Sequence, residues 1–95
     1  MNLQPDVLIV GAGVSGITCA IKCQELGLNY ALIDKNCRVG GRLGSIYDSR
    51  YIFDIGFQVF NTSYKITKQY LDLNELDLHF FKPGSAIYRD NKFTI

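Results

Sequence analysis

The glycine spacing in "DVLIVGAGVSG", residues 6–16, limits what this chain can fold into more than any other feature. Asp6 to Val10 is a short apolar run of the kind buried in parallel sheets. Gly11, Gly13 and Gly16 follow it at once. Gly11 suits a tight turn out of the strand. Gly13 has no Cβ, so an anionic ligand can come close to the backbone. Gly16 lets a helix pack tightly on the strand. Val14, Ile17, Ile21 and Leu26 then recur at near-helical spacing, with Lys22 and Glu25 on the wet face and Gly27 placed to stop the helix. "YALI", Tyr30 to Ile33, reads as a second buried strand, and Asp34 stands at its carboxyl end. Strand, glycine turn, helix, strand and acid is the order of a Rossmann-like βαβ unit, so the expected class is α/β.

That unit predicts a dinucleotide site. The first-turn N–H groups of Val14, Ser15 and Gly16, with the positive end of the helix dipole, face the position of a pyrophosphate. Asp34, with Lys35 beside it, falls about twenty residues after the glycine turn, where an acid accepts hydrogen bonds from a ribose hydroxyl. A carboxylate there disfavours a 2′-phosphate. A plain nicotinamide site leaves the next stretch, "DKNCRVGGRLGS", without a task. Its loop lies at the carboxyl edge of the sheet, where ligands of open α/β folds bind. Gly40 and Gly41 let the backbone pass close to a ligand, and Arg42 offers a planar fork of donors to phosphate oxygens.

Composition narrows the partners. The chain has 95 residues, 47% hydrophobic, with ten Lys plus Arg against nine Asp plus Glu. This supports one small core and gives no reason to expect nucleic acid or an anionic membrane surface as a partner. No apolar run approaches the length of a membrane span, and "MNLQPD" does not open a signal peptide, so the expected location is the cytoplasm or its membrane face. Cys19, Cys23 and Cys37 form no C-x-x-C and read as free thiols. The sequon Asn61-Thr62-Ser63 then reads as chance. The lone His79 reads as an ordinary surface or packing residue, and no nucleophile–base pair or metal-ligand spacing is present.

Past Ser45 the pattern is less regular. "RYIFDI" reads as a strand with Tyr51, Phe53 and Ile55 on one face, and Asp54 as either a helper near the ligand or a turn cap. "NTSYKITKQYLDL" predicts a helix capped by Asn61, Thr62 or Ser63, with Ile66, Tyr70 and Leu73 as its apolar stripe. "SAIYRDNKFTI" predicts a hairpin turning at Asp90-Asn91. The expected division is a nucleotide-binding segment over 1–60 and a helix and hairpin over 61–95 that begin a substrate-side region. Ile95 falls inside an apparent hairpin strand, which reads as the front of a longer protein.

The stretch from Val7 to Ser45 resembles the amino terminus of the FAD-dependent amine oxidase superfamily, which includes the phytoene desaturase-like oxidoreductases. Gly11, Gly13, Gly16, Asp34, Gly40, Gly41, Arg42 and Ser45 match the superfamily pattern in order and spacing, and "DIGFQVFNTSY" is most similar to the phytoene desaturase-like branch. The resemblance implies FAD bound in an extended form. Gly11 to Gly16 would hold the pyrophosphate, and Asp34 the adenosine ribose. Gly41 and Arg42 would lie along the pyrophosphate toward the flavin, and Gly56, Phe57 and Gln58 near the isoalloxazine or the substrate cavity. It also implies hydride abstraction from a C–N or C–C bond of an amine or lipophilic small molecule, with catalytic residues unassigned. Asp34 departs from the usual Glu, and Asn36 from the usual Arg or Lys. Superfamily members run to several hundred residues, so the 95-residue chain alone is expected to hold half a flavin site and to be catalytically incompetent. Two other readings stand beside this one. An NAD-dependent dehydrogenase segment explains Gly11 to Asp34 but not Gly40 to Arg42. Rab GDP-dissociation inhibitors share the fold and bind proteins, but lack the G-G-R turn in this form.

Overall fold

A computed structural model describes residues 4–56 and 59–95. The chain divides into two compact units, Met1–Asn61 and Thr62–Ile95. The first opens with the βαβ unit: β1 (Val7–Val10), α1 (Val14–Glu25) and β2 (Tyr30–Ile33). The two strands pair in parallel, Val7 opposite Tyr30 through Val10 opposite Ile33. The Gly11 N–H extends the ladder by donating to the Ile33 carbonyl at 2.7 Å. An antiparallel pair follows, β3 (Ser45–Asp48) with β4 (Tyr51–Asp54). β3 is an element that periodicity did not mark. "SIYD" is polar at both ends and is joined to β4 by a turn without Asn-Gly, in which Ser49 takes a φ of 50°.

α1 ends as its sequence predicts. Gly27 adopts a φ of 68°. Its N–H donates to the Gln24 carbonyl at 3.1 Å, and the Leu28 N–H reaches back to Cys23 at 2.9 Å. This is a Schellman closure. The buried face of α1 differs from the apolar stripe expected from Val14, Ile17, Ile21 and Leu26. Ala20 and Cys23 are the buried helix residues and pack on Ile9, whereas Val14, Ile21 and Leu26 are exposed. Close approach, not side-chain size, selects the face. A Cβ at Gly16 would land on the Gly11 carbonyl oxygen, so the helix touches the strand through its smallest residues. Burial raises the Cys23 thiol pKa, and the neighbouring Cys19 adds to the shift. Leu8 and Val10 on the opposite face of β1 are exposed at 57% and 77%, so α1 covers one face of this strand pair.

The second unit lacks the helix expected from Asn61 to Leu73. It forms two short 3₁₀ turns, Thr67–Gln69 and Leu73–Glu75. Asn61, Thr62 and Ser63 cap no helix. A helix this short needs a surface on which to bury its stripe, and Ile66 stays 71% exposed. Asp72 also diverts the backbone, since its Oδ1 accepts the Asn74 N–H at 2.9 Å. The expected hairpin does form: β5 (Ile87–Arg89) pairs with β6 (Lys92–Thr94). Asp90 and Asn91 carry φ values of 52° and 59°, as a type I′ turn requires. Among the described residues, no helix is long and apolar enough to cross a membrane.

Candidate functional site

The two glycine turns are one structure. The Gly40 N–H donates to the Ala12 carbonyl at 2.8 Å. Gly13 and Gly40 form an isolated parallel bridge. A Cβ on Gly41 would stand 3.2 Å from the Gly13 Cα, so the second turn needs a bare residue to lie this close to the first. Gly40 and Gly41 have φ values of 103° and 57°, in the left-handed region that glycine enters without strain. The second turn closes as a single 3₁₀ turn over Gly41–Leu43.

Between the turns lies a groove of about 720 Å³. One side comprises Gly11, Gly13 and the first turn of α1 at Val14, Ser15 and Gly16. The other side carries Gly40, Gly41 and Arg42, with Gly56 beside them. A Cβ at Gly11 or Gly13 would meet nothing within 4 Å, so a ligand can reach this backbone. The N–H groups of Val14, Ser15 and Gly16 precede any carbonyl that could accept them within the helix. Arg42 is exposed on the groove and makes no hydrogen bond or ion pair among the described residues. Open glycine backbone, a helix N-terminus and an available guanidinium make a donor set suited to a pyrophosphate. Phe57 and Gln58 lie outside the described residues.

Asp34 and Lys35 do not line the groove. Asp34 is half-buried and grips the first turn. Its Oδ2 accepts the Ala12 N–H at 2.8 Å, and its Oδ1 accepts the Asn36 N–H at 2.7 Å. The Ala12 N–H, then the Asn36 N–H, hold the carboxyl below the usual carboxylate range. The Asn36 side chain adds a further, smaller contribution in the same direction. A carboxylate depressed in this way stabilises the fold fully above its unfolded-state value of about 3.9, and that contribution is lost as pH falls through the lower folded value. Thermal unfolding followed from pH 7 down to about pH 2 should therefore show a steeper loss below about pH 4 in the wild type than in Asp34→Asn. Parallel profiles would remove this role from Asp34.

Other candidates fall elsewhere. Asp54 accepts the Ser45 hydroxyl at 2.6 Å across the open end of the β3–β4 hairpin, so its visible partner belongs to the hairpin. His79 is exposed, 3.5 Å from Asp77. No cluster of His, Cys, Asp or Glu among the described residues could hold a metal ion. Residue spacing missed Ala12, which joins Asp34 to the second turn, and Arg38. The Arg38 guanidinium nitrogens Nη1 and Nη2 each donate to the Gly41 carbonyl at 3.2 Å. A cation just before a glycine pair was the available signal, since exposed turn carbonyls attract one.

Comparison with known proteins identifies the family. Residues 9–73 match the model of the NAD(P)-binding Rossmann-like domain family. The chain is 31% identical over 97 residues to a 4,4′-diaponeurosporene oxygenase of Staphylococcus haemolyticus, covering 88% of this chain and 19% of that protein. It is 33% identical over 95 residues to a carotenoid 3,4-desaturase of Haloarcula japonica, covering 86% and 19%. It is 37% identical over 72 residues to a probable flavin-containing monoamine oxidase A of Dictyostelium discoideum, covering 76% and 16%. The chain thus spans less than a fifth of the length of these curated relatives. No solved structure matches it. The chain belongs to the NAD(P)-binding Rossmann-like domain family, as the amino-terminal segment of the flavin amine oxidase and phytoene desaturase-like oxidoreductase superfamily.

Proposed function

We propose that this segment holds the pyrophosphate and adenosine half of FAD in a flavin-dependent oxidoreductase. One observation carries the reading: the second glycine turn is bonded to the first, and the two enclose a single groove with Arg42 on its rim. An NAD site of the simplest kind needs the first turn and Asp34. It leaves Gly40, Gly41 and Arg42 without a ligand, although the matched family is named for NAD(P). The relative named as flavin-containing favours FAD.

In this reading the α1 N-terminus and the Gly11–Gly16 backbone bind the phosphates, Arg42 neutralises their charge, and Asp34 positions the first turn and accepts a ribose hydroxyl. Gly56 lies toward the flavin end. Lys35, beside the ribose acceptor, contributes charge at the adenosine end. FAD bound here would supply two-electron oxidation, taking a hydride from a C–H of an amine or lipophilic substrate while the adjacent N or C loses a proton, so that a C–N or C–C single bond becomes double. No residue of this segment is assigned to that step, and turnover needs protein beyond these residues.

The test is a pair of titrations of the purified chain with FAD and with NAD, followed by flavin fluorescence for FAD and thermal shift for both. FAD should bind in a one-to-one ratio and raise the melting temperature more than NAD at equal concentration. No substrate oxidation should accompany binding. A larger shift with NAD would turn the reading to a nicotinamide enzyme. Turnover by the isolated chain would overturn its assignment as half a site.

A further inference from the structure

We infer that Arg38 is a positioning residue for the phosphate-side turn, and that it has room to act because residue 44 is glycine. The inference rests on the FAD reading of the groove. The Arg38 guanidinium forks onto the Gly41 carbonyl through both Nη1 and Nη2 at 3.2 Å, and Nη1 also reaches the Val39 carbonyl at 3.4 Å. The Gly44 N–H donates to the same Gly41 carbonyl at 3.2 Å. A carbonyl and the N–H across its trans peptide bond point in opposite directions. Fixing the Gly41 carbonyl toward Arg38 therefore fixes the Arg42 N–H on the side away from Arg38, and with it the base of the Arg42 side chain. The two arginines divide the work. Arg38 satisfies the turn's own carbonyls, which leaves Arg42 for the ligand.

Gly44 supplies the slot. A Cβ there would overlap the Arg38 guanidinium, with Cζ at 2.7 Å and Nη2 at 3.0 Å. Gly44 itself has ordinary extended backbone, φ −74° and ψ 155°, so alanine fits it without strain. Gly44→Ala therefore displaces Arg38 while leaving its charge in place. Lysine could not replace the arginine, because one ammonium cannot reproduce the planar fork.

The experiment measures FAD affinity of the purified chain by flavin fluorescence for the wild type, Arg38→Gln, Arg38→Lys, Gly44→Ala and the Arg38→Gln/Gly44→Ala double variant. Far-ultraviolet dichroism checks that each is folded. Each single variant should weaken binding about five- to tenfold, the size of one ordinary net hydrogen bond, because Arg38 acts on the ligand only through the turn. The double variant should bind no worse than Arg38→Gln alone, because both changes remove one interaction. Wild-type affinity in Arg38→Gln, or a double variant that loses the product of the single effects, would overturn the inference. If the wild type itself does not bind FAD, the reading of the groove fails instead. Amide exchange at Leu43 and Gly44 then decides the positioning role. Faster exchange in Arg38→Gln and Gly44→Ala supports it, and unchanged exchange sinks it.

Discussion

Gly16→Ala should unfold the first unit. The added methyl would meet the Gly11 carbonyl oxygen, which is backbone and cannot rotate aside. Gly11 is itself held, because its N–H donates to the Ile33 carbonyl at 2.7 Å. The clash can be relieved only by moving α1 off β1. That movement opens the contact of Ile9 with Ala20 and Cys23, which is the buried core of the unit. Overpacking a well-fitted site costs about 1–3 kcal/mol, and more where backbone must shift. A domain of this size has about 5–15 kcal/mol in hand at most. Among the described residues only Ile9, Ala12, Ala20 and Cys23 are buried and apolar, which places the unit at or below the low end of that range, within reach of one such backbone clash. Loss of most of the α1 signal in far-ultraviolet dichroism at 25 °C is the expected result. An unchanged urea midpoint would show that the helix does not rest on the strand through Gly16. Gly27→Ala is the natural control: its φ of 68° strains alanine, but a Cβ there meets nothing within 4 Å. Strain of that kind costs about 1 kcal/mol, so the control should weaken the unit without unfolding it.

The βαβ unit was legible because its rules are local. An apolar strand, a glycine turn, a capped helix and an acid each leave a mark within a few residues, and the Gly27 stop and the Asp90-Asn91 turn are set by backbone sterics alone. The helix face was misread because hydrophobic periodicity weighs side-chain size. Here Ile17 and Ile21 were favoured over Ala20 and Cys23, the residues small enough to lie against the strand. The segment from Asn61 to Leu73 failed for the opposite reason. Its stripe is real, but a helical stripe forms a helix only where something covers it, and periodicity carries no information about the cover. In the site, the glycines announced the groove. The bond between Gly40 and Ala12 and the fork of Arg38 on Gly41 did not show, because each ends on a backbone carbonyl, and a sequence does not list the partners of its carbonyls.

Arg42→Ala should cost the most affinity of any change that leaves the fold intact. The side chain is exposed, lines the groove and has no partner among the described residues, so its removal opens no cavity and strands no buried group. Stability should stay within about 0.5 kcal/mol of the wild type. Binding is different. A guanidinium on a phosphate makes charge-assisted hydrogen bonds worth about 1.5–3 kcal/mol, which corresponds to roughly a 10- to 100-fold rise in the dissociation constant for FAD. Arg42→Lys should recover part of that loss, since it restores the charge without the fork. The ligand series adds a second check. Adenosine and riboflavin lack the pyrophosphate, so Arg42→Ala should leave their weak binding unchanged, whereas ADP should lose affinity along with FAD. Salt should narrow the gap between wild type and variant, because part of the interaction is charge on charge at an open groove. If adenosine loses as much affinity as FAD, the arginine is shaping the site and not binding phosphate. In that case the second glycine turn would be a wall of the groove and not one of its ligand-binding edges.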